Sequence, residues 1–297
     1  MLKNNSKKYL LSPGANSCAG CGELIAVRAA VRGLDKNTIV VNATGCLEVT
    51  STAYPLSCWG LPWVHSLFEN ASALASGIKA ALKNKNTKVV AFGGDGATFD
   101  IGLGLLSGAW ERGDDFLYVC FDTEAYSNTG FQASGATPLG ANTSTAPASL
   151  DKNHFAVGSE QRKKDMIAIA LAHGLNYVAS STAGFPDDIT AKIKKALSLK
   201  GPSYIQILSP CVPGWKINYD SAVKLGKLAV QTGLYPLLEY ENGVLTKATK
   251  LNKITPVIDY LKAQGRFAHL FKNEEGAKEL DKIQELAKAN IAKYKLN

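Results

Sequence analysis

"VVAFGGDGATFDIGLG", residues 89–104, is the stretch on which the reading of this chain turns. Val89, Val90, Ala91 and Phe92 form an unbroken apolar run, the pattern of a strand buried on both faces. The run ends at Gly93, Gly94 and Gly96, with Asp95 among them, and residues at helical spacing follow. Glycines let a backbone approach a phosphate closely, and a helix N-terminus offers free N–H groups. Asp95 is placed to ligate a hard cation that would grip a diphosphate. A tight turn between strand and helix accounts for the same letters, and this stretch alone leaves both readings open.

The neighbouring sequence repeats the pattern. "NTIVVNATG" (37–45), "DFLYVCFDTEAY" (115–126), "NYVAS" (176–180) and "PSYIQILSP" (202–210) read as strands. "FENASALASGIKAALK" (68–83), "DIGLGLLSGAWERG" (100–113), "EQRKKDMIAIALAHG" (160–174) and "FPDDITAKIKKALSL" (185–199) read as helices, although four glycines weaken the second. Such alternation predicts an α/β fold: a mostly parallel sheet with helices on both faces. Ligands of such sheets bind at the carboxyl ends of strands. The loops after Asn42, Ala91, Phe121 and Leu208 all lie there. "YPLLEYENGVLT" (235–246) predicts a hairpin turning at Asn242-Gly243. From Pro256 the pattern is helical and charged. The predicted division is an α/β domain over 1–215 and, over 216–297, a C-terminal extension packed on that domain or on partner subunits.

Apolar residues make up 46% and charged residues 20% of the 297, ordinary for a globular protein. There is no long apolar run to span a membrane. "MLKNNSKKYLLSPG" is basic without the apolar core of a leader, so a cytoplasmic chain is expected. A net charge of +8 raises nucleic acid as a partner. The lysines are scattered, however, with no arginine-rich stripe or interleaved aromatics. Neither nucleic acid nor membrane is expected; an acidic protein partner or anionic cofactors suit the charge.

Six cysteines in a cytoplasmic chain do not read as a disulfide framework. Cys18 and Cys21 share the glycine-rich "CAGCGE"; Cys46 and Cys211 each follow a strand. Three segments thus bring cysteines to one end of the sheet. A [4Fe–4S] cluster, a zinc ion and a Cys18–Cys21 redox pair all remain open from ligand type and spacing. Cys120, in a buried strand, reads as a small hydrophobe, and Cys58 may be read the same way in a loop.

After its apolar strand, "VCFDTEAYSNTGFQASGATP" (119–138) carries Asp122, Thr123, Glu124, Ser127, Asn128 and Thr129. A Gly-Asp-Gly followed about thirty residues later by an Asn-bearing loop resembles the diphosphate-binding half of thiamine-diphosphate enzymes. Together with "CAGCGE", "NATGCLE", "PWVHSLFENA" and "DTEAYSNTG", it makes the chain resemble the β subunits of 2-oxoacid:ferredoxin oxidoreductases, those acting on pyruvate above all. The resemblance covers roughly residues 10–270.

That resemblance implies a thiamine-diphosphate-binding fold. It implies Mg2+ held by Asp95, the Thr123 hydroxyl and the Ala125 carbonyl; Thr123 stands where other thiamine enzymes usually carry Asn. It implies cofactor contacts at Glu23, Cys46, Gly94, Asp95, Gly96, Ala97, Thr123, Glu124, Ala125, Tyr126, Ser127 and Asn128, with Asn128 also facing substrate as a catalytic residue. The family spacing, C-x-x-C, 24 residues, Cys and a distant Cys, fits Cys18, Cys21, Cys46 and Cys211. It assigns them to one [4Fe–4S] cluster. Glu23 also has a plainer reading, as a first-turn acid complementing a helix dipole, and His65 reads as structural.

The implied reaction turns a 2-oxo acid, coenzyme A and oxidised ferredoxin into acyl-CoA, CO2 and reduced ferredoxin. Pyruvate is the first candidate acid; branched-chain and aromatic 2-oxo acids and oxalate are the alternatives. "CAGCGE" and "GCLE" argue against the 2-oxoglutarate relatives. The implied partners are an α-type subunit supplying the pyrimidine half-site, a ferredoxin-like cluster-bearing subunit, a γ-type subunit and ferredoxin itself. The reading from another class is a zinc-stabilised diphosphate-binding protein without a redox role.

Overall fold

The structure is a computed structural model that describes residues 9–84, 86–151 and 154–297. The first eight residues, part of the stretch read above for a leader, lie outside the described residues. Among the described residues the strands are β1 (Thr38–Ala43), β2 (Trp63–Ser66), β3 (Lys88–Gly93), β4 (Leu117–Asp122), β5 (Ala148–Asp151), β6 (His154–Val157), β7 (Tyr177–Thr182), β8 (Ser203–Leu208), β9 (Leu238–Glu241) and β10 (Val244–Ala248). Eight of them form one sheet in the order β10-β9-β7-β8-β4-β3-β1-β2, and β5 pairs with β6 apart from it. The run from β7 to β2 is parallel. The hairpin β9–β10 adds antiparallel strands at one edge.

The sheet is buried because its strands are apolar on both faces. β4, β7 and β8 are buried at every position. Side chains alternate between two cores, as the two-residue strand period requires. Val90, Phe92, Val119 and Phe121 pack with the helices Gly22–Val31 and Pro186–Ser198. Val89, Ala91, Tyr118 and Cys120 pack on the other face with the helices Ala71–Ala81 and Leu103–Glu111. A third core gathers the C-terminal segments around Trp215, Phe267, Leu270 and Ile283, and reaches the sheet at Leu208. Its elements include the 3-10 segment Gly265–Phe271 and the helix Glu274–Tyr294.

The hairpin turns where expected: Asn242 and Gly243 both have positive φ, 50° and 79°, as a two-residue type I′ turn demands. The helix predicted over 160–174 is shorter, Met166–Ala172. Asp165 caps it, accepting from the Ala168 N–H at 2.9 Å. That start leaves Lys163 and Lys164 in the preceding segment, where Lys163 pairs with Asp122 and Glu124 at the end of β4 and Lys164 with Asp100. The edge strand β2 and the hairpin β5–β6 were not expected. Both are four-residue strands, too short for a period to show. No described helix is long and apolar enough to cross a membrane.

The helix pair Gly22–Val31 and Pro186–Ser198 closes tightly: a Cβ on Gly33 would come within 2.7 Å of the Ile193 side chain. Ile193 itself is fully buried. Ile193→Ala should destabilise the chain by about 3 kcal/mol, through lost transfer energy and a residual cavity. Urea unfolding checks this; a midpoint equal to the parent's would show that this helix pair lies outside the cooperative core.

Candidate functional site

β1, β3 and β4 lie side by side and end at one edge of the sheet. β3 runs into Gly94 and Asp95, β4 into the Thr123–Ser127 loop, and β1 into the turn before Cys46. Between them opens a cavity of about 260 Å3. Glu23, Cys46, Gly94, Asp95, Gly96, Ala97, Thr123, Ala125, Tyr126, Ser127 and Asn128 line it. Every cofactor contact implied by resemblance is therefore in its wall except Glu124. The wall also holds Thr44, Phe68, Ile101 and Phe121, which the motifs did not single out. Strand-end position was the available signal for Thr44 and Phe121; Phe68 and Ile101 gave none.

Asp95 is buried at the cavity floor, 3% exposed. Its Oδ1 accepts from the Thr123 N–H at 2.8 Å and lies 3.4 Å from Thr123 Oγ1. Its Oδ2 accepts from Ser134 Oγ at 3.1 Å. Thr123 Oγ1 donates to the Ala125 carbonyl at 3.0 Å. Octahedral magnesium, with oxygens about 2.1 Å away, sets neighbouring ligands about 3.0 Å apart. Thr123 Oγ1 thus lies near that spacing from both of the other oxygens, 3.0 Å from the Ala125 carbonyl and 3.4 Å from Asp95 Oδ1. Charge agrees. Burial, then the neighbouring Asp122, pushes the Asp95 carboxyl well above the usual range. Asp95, Asp122 and Glu124 are buried acids facing two cations, the half-buried Lys163 and the fully buried Arg266. Ionised, Asp95 leaves one negative charge unanswered; a cation at this floor would answer it and favour the ionised form.

Glu124 turns away from the cavity. Its backbone is left-handed, φ 62°, a conformation that costs an L residue about 1–2 kcal/mol. Its carboxylate accepts from Lys163 Nζ at 2.8 Å and from Arg266 Nη2 at 2.5 Å. Burial opposes its ionisation, but Lys163 and Arg266 outweigh burial and hold the carboxyl below its usual range. Lys163 also pairs with Asp122 at 2.5 Å. Sequence reasoning had no access to Lys163 or Arg266: the first sits in a helical-looking run, the second lies 142 residues from Glu124.

The cysteines gather as their strand-end positions predict. Burial is the main cause raising the Cys46 thiol, and Glu23, Cys211, Cys21 and Cys18 add to it as near neighbours. Burial likewise pushes Cys21 up to about 12. The same burial lifts Glu23 to about 7. Cys21 Sγ accepts from the Leu24 N–H at 3.4 Å. The glycines of "CAGCG" permit the approach: a Cβ on Gly20 would strike the Tyr219 carbonyl, and one on Gly22 would lie 2.5 Å from the Pro210 carbonyl oxygen beside Cys211. Among the described residues no three His, Cys, Asp or Glu side chains close on a single point. Cys120 is fully buried in β4, and Cys58 packs against the first core. His65 bonds Thr44 Oγ1 through Nε2 at 2.8 Å and stacks on Trp63.

The family described as "Thiamine pyrophosphate enzyme, C-terminal TPP binding domain" matches residues 43–207, more than half of the chain. The chain is also 49% identical to "Pyruvate synthase subunit PorB" of Methanosarcina barkeri, over 100% of both sequences. The chain belongs to the β subunits of the pyruvate:ferredoxin oxidoreductase family. It is therefore an oxidoreductase component that works as one subunit of a complex. "Ketoisovalerate oxidoreductase subunit VorB" of Pyrococcus abyssi is 39% identical over 88% of this chain and 86% of its own length. The fold is shared with a solved 2-oxoglutarate:ferredoxin oxidoreductase from Magnetococcus marinus, at a TM-score of 0.59 and 24% identity, covering 76% of this chain and 81% of that one.

Asp95→Ala removes the carboxylate at the cavity floor. Calorimetric titration should show thiamine diphosphate affinity in Mg2+ lowered at least tenfold, with iron content unchanged. Unaltered affinity would return the Gly-Asp-Gly loop to an ordinary turn.

Proposed function

We propose that this chain is the subunit in which a 2-oxo acid, pyruvate first, is decarboxylated and oxidised to acetyl-CoA at the expense of ferredoxin. The observation that carries the reading is the meeting of Asp95, Thr123 and Ala125 oxygens in a cavity that Cys46 and Glu23 also line. Asp95, the Thr123 hydroxyl and the Ala125 carbonyl hold Mg2+ against the diphosphate. Thiamine diphosphate supplies, when bound, the nucleophilic carbon and the electron sink that decarboxylation needs. Gly94, Gly96 and Ala97 keep side-chain bulk away from the diphosphate. Tyr126 is fixed by its hydroxyl, which donates to Asp100 at 2.8 Å, and so walls the cavity rigidly. Asn128 offers its amide to the substrate, and Phe68 and Ile101 exclude water at the mouth. Glu23, lifted to about 7 by burial, is about half protonated near neutral pH and so adds less than a full charge beside the cofactor.

Cys18, Cys21, Cys46 and Cys211 are proposed to bind one [4Fe–4S] cluster that accepts electrons at this site. Zinc would need its four thiolates within about 3.8 Å of one another. A cubane gives each thiolate its own iron, and the four cysteines are near neighbours in the spacing C-x-x-C, 24 residues, Cys and a distant Cys, which supports the cluster. Coenzyme A, an α-type subunit with the pyrimidine half-site, γ-type and ferredoxin-like subunits, ferredoxin and a cytoplasmic setting complete the proposal. Residues 1–215 carry the cofactors and 216–297 the supporting extension. The ketoisovalerate relative favours a branched-chain acid as the second reading. Rates of the assembled complex on a panel of 2-oxo acids decide between them; a kcat/KM for 2-ketoisovalerate above that for pyruvate would overturn the first.

Cys46→Ala should lose most iron and the visible absorbance of the cluster, while Cys58→Ala keeps both. Full iron in Cys46→Ala would sink the assignment. The purified single chain, given thiamine diphosphate, Mg2+, coenzyme A and pyruvate, should not reduce a viologen dye until its companion subunits are added. Turnover by the chain alone would refute the half-site.

A further inference from the structure

The two proposed magnesium donors of the loop after β4, Thr123 and Ala125, flank a residue that faces the other way. Glu124 is buried and held on four sides. Lys163 and Arg266 grip its carboxylate. Its N–H donates to Asp122 Oδ1 at 3.1 Å, and its carbonyl accepts from Thr137 Oγ1 at 2.9 Å. Its positive φ turns the chain so that the Thr123 hydroxyl and Ala125 carbonyl meet on the cavity side. The grip on this turn comes largely from the C-terminal part of the chain. Arg266, fully buried in the 3-10 segment Gly265–Phe271, lies flat on the Trp215 ring, 3.8 Å from its centroid. Its Nε donates to Gln264 Oε1 at 2.9 Å. Trp215 in turn donates from Nε1 to the Thr123 carbonyl at 2.9 Å. Stacked against each other, Trp215 and Arg266 hold two consecutive residues of the metal loop.

We propose that Arg266, acting through Glu124, is a positioning residue for the metal site, and that the 3-10 segment carrying it is a strut that sets the spacing of the loop's magnesium donors. Neither Arg266 nor Glu124 touches the ion; the pair fixes the left-handed turn between two donors. The inference rests on the magnesium–diphosphate reading of the cavity. A ligand set held ready suits magnesium, which demands near-ideal octahedral geometry. The rigid, planar guanidinium reaches Glu124 through Nη2 and Gln264 through Nε while lying on the Trp215 ring, a set of contacts that a single ammonium does not reproduce.

The test measures Mg2+ affinity in the assembled complex, by calorimetric titration at saturating thiamine diphosphate, for Arg266→Met, Arg266→Lys, Glu124→Gln, the double variant Arg266→Met/Glu124→Gln, and Asp95→Ala. Arg266→Met should weaken Mg2+ binding about tenfold, with kcat at saturating Mg2+ within about twofold of the parent and iron content unchanged. Arg266→Lys should recover part of the loss. The double variant should be no weaker than the worse single one, because residues that act as one unit are not additive. Parent-like Mg2+ affinity in Arg266→Met, or additive losses in the double variant, would overturn the proposal. If Arg266→Met does not assemble, Arg266→Lys and Glu124→Gln decide by the same titration: parent-like affinity in both overturns it. Asp95→Ala separates the two levels. Unchanged Mg2+ affinity there defeats the reading of the cavity itself, whereas loss there with parent-like Arg266 variants defeats only the strut.

Discussion

A carboxylate buried at the end of a parallel strand is the constraint on which this structure turns. Asp95 sits 3% exposed with Asp122, itself fully buried, on the neighbouring strand. Burying two like charges together is costly unless they are paired and hydrogen-bonded. The fold meets the demand unequally. Asp122 receives Lys163 at 2.5 Å and Gln206 at 2.7 Å. Among the described residues Asp95 has no cation in direct contact and receives dipoles, from the Thr123 N–H and the Ser134 hydroxyl. The unanswered charge, when Asp95 is ionised, thereby lies on an acid that faces the cavity.

The same imbalance explains why the C-terminal segments pack where they do. Glu124, brought in beside Asp122 by the loop, would add a third buried charge. Arg266 arrives from the 3-10 segment to answer it, and is itself shielded by Trp215 and Phe267, whose rings lie 3.8 and 4.9 Å from its guanidinium carbon. The third hydrophobic core is the scaffold that keeps this cation in place. Apolar packing remote from the cavity is thus coupled to the shape of the cavity floor, through one ion pair and one tryptophan hydrogen bond.

The sequence made visible whatever follows a long apolar run. β3 and β4 each end in a polar signature, so Asp95 and Thr123 were legible, and the alternation of strands and helices implied that they would be adjacent. The gathering of Cys46 and Cys211 at that edge was legible for the same reason. Two kinds of feature were not. A left-handed turn at Glu124 carries no glycine or asparagine to announce it, so nothing in the sequence showed that its side chain turns to Lys163 and Arg266. Lys163 lies in "EQRKKDMIAIALAHG", whose helical period masks an N-terminal half that is not helical. Only the Asp165 cap, read strictly, would have started the helix late enough to free it. Arg266 belongs to a charged tail whose pattern names no partner.

The exposed residues at the mouth place the chain within an assembly on physical grounds that owe nothing to motifs. Phe68 and Ile101 line the cavity yet are 46% and 63% exposed, and Leu67 beside Phe68 is 60% exposed. Contiguous apolar surface around a polar floor marks a site that another surface completes. A cofactor whose chemistry depends on water exclusion gains from such completion, since the field of a buried charge like Asp95 strengthens as the medium around it becomes less polar. On the proposed reading, the chains of the complex divide the labour: this one supplies the strand-end acid and the loop behind it, and the apolar rim at Phe68 and Ile101 is the surface a companion subunit would cover.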